Sequence, residues 1–434
     1  MPIDLSPAGF PSAYPAHPLR FWPWSVGWLL CWGLGAAIVL LLWPVGEPAA
    51  GIPFWFCVIG LPNVIFFVAL AIARAIYEAD YMHSLFRNRH RFAWLGARIR
   101  TAQRPLQVLG AGYCLPLHDK PLRDVLAANV SLLEARVPRK GVGRVVHNRF
   151  ADDDPALVEF PLDGSMIDPI SPADEADFSP YGSPEVHVIG NAIAPLAESL
   201  ATLSQYGAKY APAVRVVSAP EMADARVGQV KLALEHVGLP ALECVAMPAA
   251  ESLMIADAWL DAVEQRPLLV VAVEWHDAPP VGSTEGAVAV LLAPGMFRLP
   301  EPIYAQGLLH RPVADEVEDL EAVVANGVLW GNAQPANVEV AWISGVDSSN
   351  ETKWLAALRG AGLVRTAEQS AQRRLDTLIG HAGTVGGWLS VAAALDASAG
   401  THLILHAPAA STAQAAILHT PARTNTALMN DRSQ

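Results

Sequence analysis

Basic residues are scarce in this chain, with 29 Lys and Arg against 42 Asp and Glu and a formal net charge of −13 over 434 residues. Neutralising a phosphate backbone takes clustered cations, so nucleic acid is excluded as an expected partner. Cysteine is scarcer still: Cys31, Cys57, Cys114 and Cys244 are the only four, and none forms a close pair. That excludes a disulfide framework and a cysteine zinc site, and it suits a reducing compartment. No Gly-x-Ser-x-Gly elbow occurs, which removes the usual lipase or esterase signature. Gly110 and Gly112 lack the third glycine and the later acid of a dinucleotide fingerprint. His276 and Asp277 are adjacent on a strand end, point to opposite sides and have no third ligand nearby, so they read as a surface turn. No cofactor and no metal is expected.

Long uncharged runs, by contrast, are present. Ser25 to Trp43 and Ile52 to Ala73 carry no charge, and each is long enough as a helix to cross a hydrocarbon layer of about 30 Å. The connector holds Pro44, Gly46, Glu47, Pro48 and Gly51, and Pro53 and Pro62 are expected to kink the second run. A two-helix transmembrane hairpin over residues 25–75 follows. Arg74, Arg87, Arg89, Arg91, Arg98 and Arg100 come after the second run, while the connector has no Lys or Arg. Positive charge stays on the cytoplasmic side, so residues 1–24, both termini and the bulk of the chain are expected there, on a bacterial inner membrane. A cleaved signal peptide is disfavoured, because the leader is long, proline-rich and has only Arg20 as a base before the run. Residues 76–104 mix aromatics with arginines as a basic juxtamembrane helix, in which His83 and His90 belong to a solvated collar.

After Arg104 the pattern becomes α/β, spanning 105–419. Leu106 to Leu115 reads as a buried strand into a glycine turn, and Leu122 to Ala135 as a helix. Further strands are expected at Glu185 to Ile189, Ala213 to Val217, Pro267 to Glu274, Gly286 to Leu292 and Val338 to Ser344. Helices are expected at Ala192 to Tyr206, Val227 to Val237, Ala249 to Val263 and Ser349 to Ala361. The last third holds Gln372 to Leu378, a glycine-rich turn, a helix from Trp388 to Leu395 and a final strand at His402 to His406. Runs such as LLVVAVE are nearly all apolar, as strands covered on both faces require. Asp152 to Pro184 is acidic and broken by prolines, a long surface loop, and 420–434 is a polar tail.

Three stretches carry a family likeness. LLVVAVEW followed by EGAVAVLLAP (Glu285 to Pro294), IGHAGTVGG (Ile379 to Gly387) and LQVLGAGYCL (Leu106 to Leu115) resemble the paired central strands, the glycine-histidine motif and the first strand of the thiolase and β-ketoacyl synthase superfamily. The resemblance implies a layered αβαβα sandwich of two related halves and, by family habit, a homodimer. Condensation in that superfamily uses a cysteine thiolate at a helix N-terminus with two histidines, or a histidine and a cysteine. Matching Ser252 and Leu253 to the family's serine-leucine pair leaves Ala249 at the nucleophile position. Ser344 falls where the first histidine would stand, no lysine precedes IGH, and His381 alone matches.

Two spans followed by such a degenerate domain also resemble a bacterial family that includes cytoplasmic adaptors for lipase effectors of the type VI secretion machine. That resemblance implies a non-catalytic, membrane-anchored pseudoenzyme that holds a secreted effector for loading, with the bilayer as its other partner. The alternative is an acyl-thioester condensing or transferring enzyme using Cys244 and His381. It requires the thiol to lie beside the helix that carries the nucleophile; otherwise Cys244 packs as a small hydrophobe and His381 is a hydrogen-bonded loop residue. A purely structural membrane subunit, with the hairpin as its interacting part, is the third expectation.

Overall fold

The computed structural model describes residues 5–15, 20–118, 120–157, 183–262, 265–346, 350–397 and 399–421. Most of the acidic stretch and of the polar tail expected from the sequence lies outside them. The chain divides into two compact units, Asp4–Arg100 and the part from Thr101 onward.

In the first unit α1 (Phe21–Leu42) runs 22 residues without one buried side chain. A short α2 (Ile52–Trp55) and a π-turn at Phe56–Gly60 lead into α3 (Leu61–Ala102). The π-turn has a local cause. Pro62 has no N–H to give the carbonyl of Val58, so the helical hydrogen-bond ladder shifts there. Opposite Pro62 stands Gly35, where an added Cβ would come within 2.5 Å of the proline ring. Trp28 Nε1 donates to Asn63 Oδ1 at 2.8 Å, tying the two helices. Both helices are long and apolar enough to cross a membrane. The second apolar run and the basic juxtamembrane helix expected after it are one helix: α3 continues for 42 residues, about 63 Å, because nothing from Ala73 to Ala102 interrupts helical hydrogen bonding. Asn88 exchanges a reciprocal pair of hydrogen bonds with the Ser12 backbone, laying residues 9–15 along α3.

The second unit opens with β1 (Leu106–Cys114), α4 (Leu122–Ala128) and a separate ribbon of β2 (Glu134–Arg136) with β3 (Val145–His147). There follow α5 (Pro184–Ile193), α6 (Ala197–Gln205), β4 (Ala213–Ser218), α7 (Ala223–His236), β5 (Cys244–Pro248), α8 (Met254–Asp261), β6 (Leu268–Glu274) and β7 (Gly286–Pro294). A second set comprises β8 (Gly307–Leu309), β9 (Val313–Glu316), α9 (Leu320–Trp330), β10 (Val338–Ser344), α10 (Glu351–Gly360), β11 (Gln372–Arg374), α11 (Leu375–Leu378), α12 (Gly386–Asp396), β12 (Gly400–Ala409) and β13 (Thr412–Thr420).

The two sets repeat one plan. Strand order is β5-β4-β6-β7-β1 in the first and β11-β10-β12-β13-β8 in the second, and β7 and β13 each run antiparallel to their neighbours. Pairing of β1 with β8, from Leu106 opposite Leu309, joins the half-sheets. Side chains alternate across each strand, so Leu268, Val270 and Ala272 of β6 enter one core while Leu269, Val271 and Val273 enter another. The first of these cores also takes Trp342, Ile404 and Leu418 from the second half, with α8 and α12 between. Helices α5 and α7 cover the outer face of one half, and α9 and α10 that of the other. The result is the αβαβα sandwich of a thiolase-like domain.

Several boundaries differ from expectation. Glu185 to Ile189 is helical, within α5: Pro184 starts the helix, and the polar-apolar alternation of Glu185, Val186, His187 and Val188 imitates a strand over so short a stretch. The third apolar stretch long enough to span a membrane, Pro184–Gln205, is this same packed segment. Leu122 to Ala135 stops at Ala128, capped by left-handed Asn129. The helix expected from Ala249 starts only at Met254. Strand β13 follows a tight turn after β12 and was not anticipated beyond His406. Gly110 and Gly112 lie inside β1 rather than in a turn, since an added Cβ on Gly112 would sit 2.3 Å from the carbonyl oxygen of Ala192 in α5.

That approach predicts opposite outcomes for two small changes. Gly112→Ala should cost at least about 3 kcal/mol by pushing α5 off the sheet. Gly228→Ala, in α7 with nothing within 4 Å of the new methyl, should be neutral or stabilising by up to about 1 kcal/mol. Denaturant midpoints of the two variants in mild detergent check this.

Candidate functional site

The loop from β5 into α8 is where the sequence likeness places a nucleophile. Ala249 N–H donates to the Ser218 carbonyl at 3.0 Å, and residues 249–253 turn before the helix begins. Ala249 therefore stands at the mouth of the loop with only a methyl group. Ser252, three residues on, takes a left-handed φ of +35° and has no exposed surface. The turn is held from across the middle layer. Gln414 of β13, itself buried, accepts from Leu253 N–H at 3.0 Å and reaches the carbonyls of Ala250 and Glu251 at 3.1 Å.

Facing Ser252 is the head of α12. A Cβ on Gly387 would lie 2.7 Å from Ser252 Oγ and 2.9 Å from His406 Cδ2, and one on Gly386 would lie 3.2 Å from His406 Cε1. The glycine pair thus admits a serine from one half and a histidine from the other to the same spot. His406 Nδ1 sits 3.0 Å from Ser344 Oγ, which lies 3.2 Å from Ser390 Oγ. All four side chains are buried. Among the described residues, Ser252 Oγ and His406 Nε2 have no hydrogen-bond partner. Burial, and then the nearness of His381, pushes the His406 pKa down to about 4, so the ring is neutral at pH 7. Ser344, where the sequence likeness places a histidine, is thereby occupied as a partner of His406.

His381 is exposed. Its Nδ1 accepts from Gly383 N–H at 3.0 Å, and its backbone bridges to Gly282 and Thr284. The motif is fastened by Glu274, whose carboxylate accepts from Thr384 N–H at 2.7 Å and from Thr384 Oγ1 at 2.9 Å, and lies 3.1 Å from His276 Nε2. Burial would raise the Glu274 pKa, but the bonds from His276 and Thr384 outweigh it and hold the carboxyl below its usual range. Nearby, buried Glu285 pairs with Arg139, whose guanidinium stacks 4.0 Å over Trp275. Asp277 pairs with Lys140.

Cys244 lies elsewhere. It opens β5, four residues and about 13 Å of strand before the α8 loop, and packs against the outer core beneath α7. Its Sγ is 3.5 Å from the Leu242 carbonyl, and burial raises the thiol pKa despite Lys231 and Arg215. The structure does not bring Cys244 and His381 together. His83 and His90 are exposed on α3. No group of three or more His, Cys, Asp or Glu able to hold a metal occurs among the described residues. Sequence reasoning missed His406, Ser390, Gln414 and Glu274. The one available signal was a pair of histidines, His402 and His406, in an otherwise apolar strand.

His406 is expected to make stability pH-dependent. Its folded pKa is depressed, so the unfolded chain binds the proton more readily, and stability present above pH 6.5 should be lost as pH falls toward 4, by about 3 kcal/mol. His310, buried and pushed to about 4, acts in the same window. Urea midpoints between pH 7 and 4 should drop steeply, and less steeply in His406→Gln. Alkylation of Cys244 by iodoacetamide at pH 8 should run at least about tenfold slower than that of an exposed thiol.

No family model matches the chain, and no curated protein matches it. Solved structures do. A ketosynthase from module 6 of the bacillaene synthase of Bacillus subtilis matches at 13% identity and a TM-score of 0.51, covering 73% of this chain and 70% of that one. An oxazolomycin ketosynthase domain from Streptomyces albus matches at 10% identity and a TM-score of 0.51, covering 74% and 75%. At such identities the likeness carries the fold alone: the second unit is a thiolase-like domain of the architecture seen in ketosynthases.

Proposed function

We propose that this chain is a membrane-anchored, non-catalytic binding scaffold. The observation behind this reading is the junction of α8 and α12, where Ala249 brings no nucleophile and the serine beside it, Ser252, is wholly buried. Ser344 and His406 are turned to each other rather than to a cleft. The hairpin of α1 and α3 serves as a two-span anchor in a bacterial inner membrane, with the arginines of α3 and both termini on the cytoplasmic side. The thiolase-like domain then offers its surface to a cytoplasmic protein. By its likeness in architecture to type VI secretion adaptors, the partner is a secreted lipase-type effector held for loading.

The test is purification of the full chain from its native host in mild detergent, beside a Cys244→Ala, His381→Ala double variant. A scaffold retains the same protein partner in both forms to within about twofold, and neither form carries an acyl mass. An acyl adduct on the wild type that vanishes in the variant would make the chain a condensing or acyl-transfer enzyme instead. Removal of the residues before Ile76 should leave partner binding intact if the hairpin only anchors.

A further inference from the structure

Two concave apolar surfaces lie on the hairpin of the first unit, and one of them carries arginines at its rim. Between α1 and α3 runs a groove of about 570 Å³, walled by Trp24, Trp28, Phe66 and Leu70 and rimmed by Arg20 and Arg74. Trp24 and Phe66 meet edge to face at 6.0 Å and form its floor. Phe21 and Phe67 at its lips are 85% and 58% exposed, so the fold itself leaves this surface uncovered. The two arginines stand at the same end of the hairpin, where α1 begins and the uncharged run of α3 ends. Among the described residues no carboxylate lines the groove; Glu78 pairs with Arg74 at 2.8 Å, both groups well exposed.

We infer that this groove binds one anionic phospholipid, the headgroup phosphate held by Arg20 and Arg74 and an acyl chain laid along Trp24, Trp28, Phe66 and Leu70. The inference rests on the membrane-spanning reading of the hairpin. Two cations over an apolar slot match a ligand that is acidic at one end and hydrocarbon at the other, and a basic pocket between spans is where acidic headgroups settle. Glu78 competes for Arg74, so it tempers the selectivity.

The full chain is reconstituted into nanodiscs made of equal parts phosphatidylcholine and phosphatidylglycerol, and retained lipid is counted by native mass spectrometry. Phosphatidylglycerol should be enriched about tenfold on the wild type, fall to parity in Arg20→Gln, Arg74→Gln, and rise further in Glu78→Gln. Leu70→Trp, which fills the slot and leaves both arginines, should strip the retained lipid. Parity on the wild type, or unchanged enrichment in the double variant, overturns the site. A chain that fails to travel with the discs overturns the spanning reading itself, whereas one that travels with them at parity overturns only the lipid.

Discussion

The middle layer of the second unit depends on one close approach, that of the Gly386–Gly387 pair at the head of α12 to Ser252 and His406. Two half-sheets can share a helical layer only if their helices touch, and here the contact is nearly backbone to side chain. A single methyl at Gly387 would meet atoms at 2.7 and 2.9 Å from opposite halves. Ten successive residues of α12, Gly386 to Leu395, are buried, so the helix has no free face along which to slide and relieve a clash. In each half the edge strand leads toward this layer, β5 into α8 and β11, by way of α11, into α12.

Polar groups at the junction serve cohesion. Gln414 spans from the last strand of the second half to the α8 loop of the first, and Glu274 spans from the first half to the Gly-His loop of the second. Buried Gln414 and partly buried Glu274 each accept a backbone N–H that a turn would otherwise leave unpaired, from Leu253 and Thr384 respectively. Such reciprocal clamps hold the loops of both halves in register. The depressed pKa of His406 belongs to the same picture: a neutral ring beside Ser344 is tolerated in this core, and a charged one is not.

In the first unit the same problem is met with smaller means. A helix without buried side chains cannot be held by a core, so α1 is held by shape and by a few polar contacts. Gly35 makes room for Pro62, Trp28 bonds Asn63, and Cys31 Sγ lies 3.5 Å from the carbonyl of Pro62. Small residues and lone polar bridges are what hold helices together where apolar surroundings remove the hydrophobic drive.

The hairpin helices, the α/β pattern and the apolar central strands were legible in the sequence, because each is a local matter of charge, period or residue type. LLVVAVE and GAVAVLLAP pair as expected for strands covered on both faces. What the sequence obscured were segments whose short-range pattern points elsewhere. Glu185 to Ile189 alternates polar and apolar like a strand although α5 is helical, and Gly110 and Gly112 look like a turn until Leu196 and the Ala192 carbonyl of α5 are seen to approach them. Cys244 and His381, each a plausible reagent alone, are separated by the length of a strand that sequence spacing does not reveal. His406, Ser344, Ser390 and Ser252 come from four elements far apart in the chain. Composition and local pattern determined by themselves that there would be long apolar helices and an α/β domain. Only the tertiary structure decided which polar side chains meet in the middle layer, because that meeting is set by how two glycines let two halves approach.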